Sequence, residues 1–528
     1  MKNRSFLNDN WDIITVLVVY SILAFFSLKY FQYRIAGDEI SYINIAKAYS
    51  AGNWGAAING YWSPLYSWLM SPFLFFGSQP FYAVYVSKIV SIIIGFFTII
   101  SVRRLSRTFE IDKIVERSFL IVLIPFILYF SLMYNTPDLL LVCFIVYYLS
   151  IIFETKYSNN LINGVLCGFI GTLAYLTKSF AFPFFLFHFI LFNLIYYFKE
   201  LNVDRRKVLK NLFLGLAVFF VLSGLWVGTI SEKYGKLTIS TAGEYNQALV
   251  GSEYGVNTME YGLPPIYYLG LIKPPNNYAT SIWDDLSYQK MDHWSPLDSL
   301  KNFEYELKLI WSNIGYTFKL LESFIFISFI ILISMVLFIL IPKVDKVSKN
   351  AVKCLLLTML IYIGGYCIII PEWRYLWLIF ILLIFSGFFI IDRLYKSKVI
   401  NYTIRNILLV IMICLFVMQP ISEVVLFANP PEDNDYNLSN ILKIDYGVQG
   451  NIASNSEWMD TLTISYYLNS KYYGMTRKTN STNDLQQQLE DNKIDYYLVW
   501  NSTINLNLSD YHEITHGEIP LLQIYKRN

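Results

Sequence analysis

The chain has 528 residues, 55% of them apolar and only 15% charged, with a mean hydropathy of +0.43. A soluble chain carries roughly a quarter charged residues, and an 18% aromatic content is far too high for a disordered one. Lys and Arg total 41 against 39 Asp and Glu, so there is no basic field for nucleic acid. The composition is that of a polytopic membrane protein and excludes a soluble multidomain enzyme.

An apolar stretch of roughly 20 residues crosses the hydrocarbon as a helix, because only an internally hydrogen-bonded backbone is tolerated there. Eleven such segments follow one another, at about 12–30, 82–102, 118–134, 138–153, 160–177, 180–198, 211–230, 318–341, 353–370, 376–391 and 405–424. The first reads as a signal anchor retained in the membrane. The joints at 134–138 and 177–180 are tight enough for short hairpins or re-entrant turns. Basic clusters at Arg103–Arg117, Lys199–Lys210, Lys343–Lys353 and Arg393–Arg405 all fall on one side, the cytoplasmic side under the positive-inside rule.

The expected organisation is therefore a transmembrane part, residues 1–429, with a first outer loop at 31–81 and a long outer loop at 231–317. A carboxy-terminal extracytoplasmic α/β domain follows at 430–528. Within the first loop, 39–50 has the amphipathic pattern of an interfacial helix. The five cysteines lie inside apolar runs and offer no disulfide framework. The four histidines are dispersed, with only His512 and His516 four apart in a strand-like tail.

Charges near membrane depth are costly and mark functional sites. They collect at the outer helix ends: Asp38 and Glu39 in Gly37-Asp38-Glu39, Asp138 in Asn135-Thr136-Pro137-Asp138, Lys178 in Leu176-Thr177-Lys178-Ser179, and Glu372 and Arg374 in Pro371-Glu372-Trp373-Arg374-Tyr375. A carboxylate accepts a proton from an attacking hydroxyl. Lys and Arg hold a phosphate and stabilise it as a leaving group. Adjacent carboxylates do not face each other on a helix, so Asp38 and Glu39 are not a glycosidase pair. One base with separate cations points to group transfer from a phosphate-linked donor, and the surrounding apolar helices point to a lipid-linked one. Tyr42, Tyr61 and Trp62 are candidate platforms for a sugar or acceptor.

Gly37-Asp38-Glu39-Ile40-Ser41-Tyr42 followed by Tyr61-Trp62-Ser63-Pro64-Leu65-Tyr66 resembles the first outer loop of type C glycosyltransferases. The resemblance is to the protein mannosyltransferase and lipid A aminoarabinose transferase group. It continues through Thr136-Pro137-Asp138, Leu176-Thr177-Lys178 and Glu372-Trp373-Arg374-Tyr375, and stops at about residue 425. It implies an inverting enzyme that takes a sugar from a polyprenyl-phosphate donor to a hydroxyl acceptor on a protein, lipid or cell-envelope glycan. In that reading Asp38 is the base and Glu39 shapes the acceptor side or orients Asp38. Asp138 is the second acidic residue, Lys178 and Arg374 bind the lipid phosphate, and Glu372 orients Arg374. No metal or other cofactor is obligatory, although the acidic residues leave a divalent cation open. A flippase for lipid-linked glycans is the competing class; it would place its ionisable residues near the midplane, often in repeated halves. The Lys-, Asn- and Ile-rich composition suggests a prokaryotic plasma membrane, with the active site on the extracytoplasmic side. Neither the sugar nor the acceptor is written in a motif.

Overall fold

The computed structural model describes residues 2–199, 204–251, 270–288, 294–324, 327–428, 434–477, 481–501 and 506–528. Parts of the long outer loop expected at 231–317, namely 252–269 and 289–293, therefore lie outside the described residues, as does His293.

Among the described residues each of the eleven apolar segments is largely helical. Among them eight helices are long and apolar enough to cross a membrane: α1 (Lys2–Phe31), α5 (Pro80–Thr108), α6 (Lys113–Met133), α9 (Ala181–Lys199), α10 (Arg205–Tyr234), α14 (Lys346–Cys367), α15 (Trp377–Lys396) and α16 (Tyr402–Ala428). Two more, α7 (Asp138–Ile152) and α8 (Ile162–Thr177), are apolar but short. The segment expected as one straight span at 318–341 is instead a bent pair, α12 (Leu300–Phe324) and α13 (Ser328–Leu340), meeting at 108°. Helix α12 begins well inside the expected loop. Its charges at Lys301, Glu304, Glu306 and Lys308 mask it in a hydropathy sum, while Phe303, Leu307 and Trp311 recur every four residues as an exposed apolar stripe. The remaining helices of the two outer loops are α2 (Gly37–Ser50), α3 (Trp54–Ala57), α4 (Leu65–Leu74) and α11 (Ala242–Leu249).

The helix ends are set locally. Asp112, Asp204 and Asp345 accept hydrogen bonds from the first backbone amides of α6, α10 and α14. Gly235, at φ +67°, closes α10 in the left-handed conformation. Side-chain packing then decides the interior. Every residue of α15 from Trp377 to Asp392 is buried, so this helix forms the centre of the bundle. Apolar helices in lipid associate through close van der Waals contact rather than a hydrophobic drive, which favours small residues at the seam. At the seam of α8 and α10, a Cβ on Gly168 would stand 2.1 Å from the Gly215 carbonyl oxygen, and one on Gly164 would stand 2.4 Å from that of Asn211.

Helix α2 differs from the half-exposed interfacial helix that its sequence suggests: eleven of its 14 residues are buried. The reason is that α4, the outer-loop turn Ile282–Asp284 and, from above, the carboxy-terminal domain all pack against it. That domain comprises α17 (Asn434–Ile444), β1 (Asn451–Ser454), α18 (Trp458–Tyr467), β2 (Lys471–Met475), α19 (Thr482–Asp491), β3 (Tyr496–Trp500), β4 (Tyr511–Glu513) and β5 (Leu522–Arg527). The sheet order is β2-β1-β3-β5-β4. Strand β1 is parallel to β2 and β3, while β5 runs antiparallel to β3 and β4. Helix α18 reaches down to the membrane part, where the hydroxyls of Tyr466 and Tyr467 donate to the carbonyls of Pro80 (3.1 Å) and Tyr33 (2.5 Å). The exposed edge of β2 is covered by the outer loop: Ile272 N donates to Tyr473 O at 2.8 Å and Tyr472 N to Thr280 O at 2.7 Å. The loop is thereby fixed over α2.

The α8–α10 seam gives a direct test. Gly168→Val forces a side chain into backbone and should cost about 1–3 kcal/mol, the usual range for overpacking. The expected outcome is a lower melting temperature in detergent than for Gly224→Val on the open side of α10, where an added Cβ meets nothing within 4 Å. Equal melting temperatures would mean that the seam is not close-packed.

Candidate functional site

Residues distant in the chain arrive at one place because the ends of their helices share one level. Asp38 sits in the first turn of α2, Asp138 opens α7, Lys178 closes α8, and Glu372 and Arg374 lie in the short turn before α15. The basic residues of α15, Arg393 and Lys396, occupy its far end, about 30 Å away at 1.5 Å per residue.

Arg374 is the hub. Its Nη2 donates to Asp38 Oδ2 at 2.5 Å and its Nε to Glu372 Oε2 at 2.8 Å, with Asp138 Oδ2 at 3.9 Å from the same Nε. Lys178 Nζ donates to Asp138 Oδ1 at 2.6 Å, and Thr136 Oγ1 donates to Asp138 Oδ2 at 2.7 Å. The ammonium of Lys178 also lies 3.5 Å from the centre of the Tyr375 ring, a cation–π contact that compensates part of its desolvation. Tyr375 stacks on Tyr366 and Tyr366 on Phe180, with ring centres 4.7 and 3.8 Å apart. This aromatic column holds the turn carrying Arg374 against the end of α8.

These groups line a cavity of about 960 Å³. Of the candidates named from sequence, Asp38, Tyr42, Tyr61, Trp62, Asp138, Lys178, Glu372 and Arg374 all line it. Glu39 does not line it. Being next to Asp38 on a helix, it points elsewhere, and it accepts from the Asn135 backbone N (2.8 Å) and Nδ2 (3.3 Å). Glu39 thus fastens the turn that carries Asp138. Tyr42 and Tyr61 have phenols raised well above their ordinary pKa by burial and by nearby carboxylates, so they act as neutral donors.

From the charged end, the cavity continues between α9 and α14, past Phe184, Phe187, Leu360, Ile361, Gly364 and Gly365. Phe187 and Leu360 are largely exposed on the flank of the bundle. A Cβ on Gly364 would meet nothing within 4 Å, so this glycine leaves the groove open.

Sequence reasoning missed Trp283. Its Nε1 donates to Asp38 Oδ1 at 2.9 Å, and its carbonyl accepts from Trp62 Nε1 at 3.0 Å. Trp283 rides on a single 3-10 turn, Ile282–Asp284, closed by a capping box between Ser281 and Asp284. The Ser-x-x-Asp spacing signals a rigid turn, but nothing local says that it meets a residue 245 positions earlier. Asp284 is fully enclosed and accepts from Asn44 Nδ2 (2.9 Å) and the backbone N–H groups of Thr280 and Ser281 (3.1 Å each). Burial outweighs these bonds and pushes its carboxyl up to about 6.

Among the described residues no group of three or more His, Cys, Asp or Glu side chains is placed to hold a metal ion. Asp38 and Asp138 are each ion-paired with a protein cation.

The raised carboxyl has a sign that can be checked. A buried acid with an elevated pKa stabilises the fold while protonated, and that contribution is lost as pH rises through about 6. The stability of the wild type relative to Asp284→Asn, followed by the two melting temperatures, should fall between pH 4 and 7 by an amount on the order of 3 kcal/mol. A difference that stays constant over this window would contradict the burial of Asp284.

No family model and no curated protein sequence matches the chain. Solved structures do. The crystal structure of ArnT from Cupriavidus metallidurans bound to undecaprenyl phosphate aligns with a TM-score of 0.55 at 12% identity, covering 98% of each chain. The apo state of the same protein aligns with the same TM-score, identity and coverage. The archaeal oligosaccharyltransferase AglB from Archaeoglobus fulgidus gives a TM-score of 0.49 at 12% identity, covering 94% of this chain and 70% of that one. At such identities the likeness is one of fold, and by it the chain has the type C glycosyltransferase-like fold, a multi-pass helical membrane part capped by a small sheet domain.

Proposed function

We propose that this protein is an integral membrane glycosyltransferase that moves a sugar from a polyprenyl-phosphate donor to a hydroxyl acceptor. The observation that carries the reading is one cavity joining two carboxylate–cation pairs to an apolar groove open on the flank of the bundle. Such a cavity suits an amphiphile with a phosphate at one end and a long isoprenoid chain at the other. ArnT, which has the same fold, is bound to undecaprenyl phosphate in its crystal structure.

In this reading the isoprenoid lies along Phe187, Leu360 and Gly364, and its phosphate meets Lys178 and Arg374. Arg374 turns part of its fork from Asp38 to the phosphate, which frees Asp38 Oδ2. The acceptor hydroxyl enters from the side of Tyr42, Tyr61 and Trp62 and gives its proton to Asp38. The acceptor oxygen bonds to the anomeric carbon as the bond from that carbon to the phosphate oxygen breaks, with inversion. The departing polyprenyl phosphate takes the electron pair, and the two cations stabilise its charge. Trp283 keeps Asp38 aimed at the cavity. The carboxy-terminal domain, residues 430–528, roofs the acceptor side and selects the acceptor. The four basic clusters at the opposite helix ends support an extracytoplasmic site, and the reading takes the membrane to be a prokaryotic plasma membrane.

Release of free polyprenyl phosphate from a panel of labelled polyprenyl-phosphate sugars, with an envelope extract as acceptor, tests the reading. Asp38→Asn should lower turnover by roughly 10²–10⁴-fold, the usual worth of a general base, with donor affinity retained. Lys178→Ala and Arg374→Ala should weaken donor binding by about 1.5–3 kcal/mol, as for hydrogen bonds to charged groups. Gly364→Phe should close the groove and weaken long-chain donors while leaving a short-chain analogue unaffected. Normal turnover in Asp38→Asn would remove the base assignment. Transbilayer movement of a labelled lipid-linked glycan without any sugar transfer would establish a flippase instead.

A further inference from the structure

A second cavity, of about 470 Å³, opens between α2, the carboxy-terminal end of α4 and the start of β2, and it shares no lining residue with the first. Among the described residues its lining carries two lysines, Lys47 and Lys471, and no carboxylate. Lys471 Nζ is committed to the carbonyl oxygens of Asn277 (2.6 Å) and Ala279. Lys47 Nζ is not committed. It lies 4.5 Å from the centre of the Tyr466 ring, and among the described residues no acceptor lies within hydrogen-bonding distance of it. Asp284 lends Lys47 some charge at longer range, but its oxygens are already occupied by Asn44, Thr280 and Ser281. Burial and the neighbouring Lys471 ammonium pull Lys47 down to about 8 despite Asp284, so it remains largely protonated at neutral pH.

A half-buried ammonium with no hydrogen-bond acceptor in a polar cavity is an arrangement that an anion relieves. The rim adds neutral donors. The side chains of Ser78, Asn277 and Asn469 line the cavity and make no hydrogen bond among the described residues. An ammonium with three neutral donors suits an anion with three or four oxygens better than a two-oxygen carboxylate. The opposite lip is apolar: Leu74 and Phe75 line it, and Phe75 and Phe76 are 76% and 83% exposed at the end of α4. Exposed apolar side chains of this kind suit contact with the acyl chains of a lipid.

We propose that this cavity binds a phosphate group, presented either by an acidic lipid whose chains lie along Phe75 and Phe76 or by a soluble phosphate ester. The site is separate from the donor site, although the two share a wall. Asn44 lines the phosphate cavity and is held by Asp284, while Trp283, the next residue back, holds Asp38.

The experiment is isothermal titration of the full-length protein in detergent at pH 7 with two probes, dioctanoyl phosphatidic acid and glycerol 3-phosphate. A Lys178→Ala background keeps the first cavity from contributing, so the result stands apart from the donor assignment. The expected result is saturable binding of at least one probe, weakened at least tenfold by Lys47→Gln. Asn469→Asp, a change on the exposed rim that adds a repelling charge without touching the core, should weaken it as well. Binding of the lipid alone identifies a headgroup as the source, and equal binding of both identifies a soluble ester. Absence of saturable binding with both probes, or affinities unchanged in both variants, would overturn the proposal.

Discussion

The arrangement of the outer face depends on one buried guanidinium. Arg374 contacts Asp38 and Glu372 directly and stands 3.9 Å from Asp138, which Lys178 holds from its other side. In a medium of low dielectric each of these charges is expensive alone and tolerable only in company. The helices that carry them must therefore bring their ends to a common level, and α2, α7, α8 and α15 do so. Removing any one member leaves the others uncompensated, so the cluster is at once a structural knot and a reservoir of charge for a ligand.

Around this knot the molecule is built in two ways. Inside the membrane part, glycines bring α8 and α10 into backbone contact, and α15 is buried along its length. Above it, the outer loops and the sheet domain assemble by hydrogen bonding: the loop residues Ile272 and Thr280 pair with the edge of β2, and the hydroxyls of Tyr466 and Tyr467 tie α18 to the top of the bundle. The turn bearing Trp283 lies between these layers. It is braced by the buried carboxyl of Asp284 and by α2, and through Trp283 it reaches Asp38.

Much of the membrane part is legible in the sequence because lipid imposes a simple rule. A helix crossing hydrocarbon must be apolar for most of its length, and among the described residues the eleven apolar segments are largely helical. Their basic ends separate from their acidic and aromatic ends along the chain, so the charged residues of the site stand out as exceptions. Asp38, Asp138, Lys178, Glu372 and Arg374 are identifiable for that reason. Where several forces share a segment, the pattern fails: α12 carries charges on one side and an apolar stripe on the other, and hydropathy alone reads its first two thirds as loop. Helix α2 looks half-exposed because its polar residues find their partners far along the chain, at Asn135, Thr280, Trp283, Asp284 and Arg374.

The sequence by itself determined a polytopic helical protein, the side of the bundle on which its ionisable residues collect, and the chemical types available there. Those follow from local composition, which the solvent reads residue by residue. Tertiary structure alone decided that Glu39 braces a turn while its neighbour Asp38 faces the cavity, since one residue along a helix turns a side chain by about 100°. It also decided that Trp283 bonds to Asp38, that Gly364 lines a groove, and that Lys47 lies against the Tyr466 ring. Each of these is a relation between distant elements, fixed by packing and by the need to satisfy buried polar groups, and no local pattern encodes it.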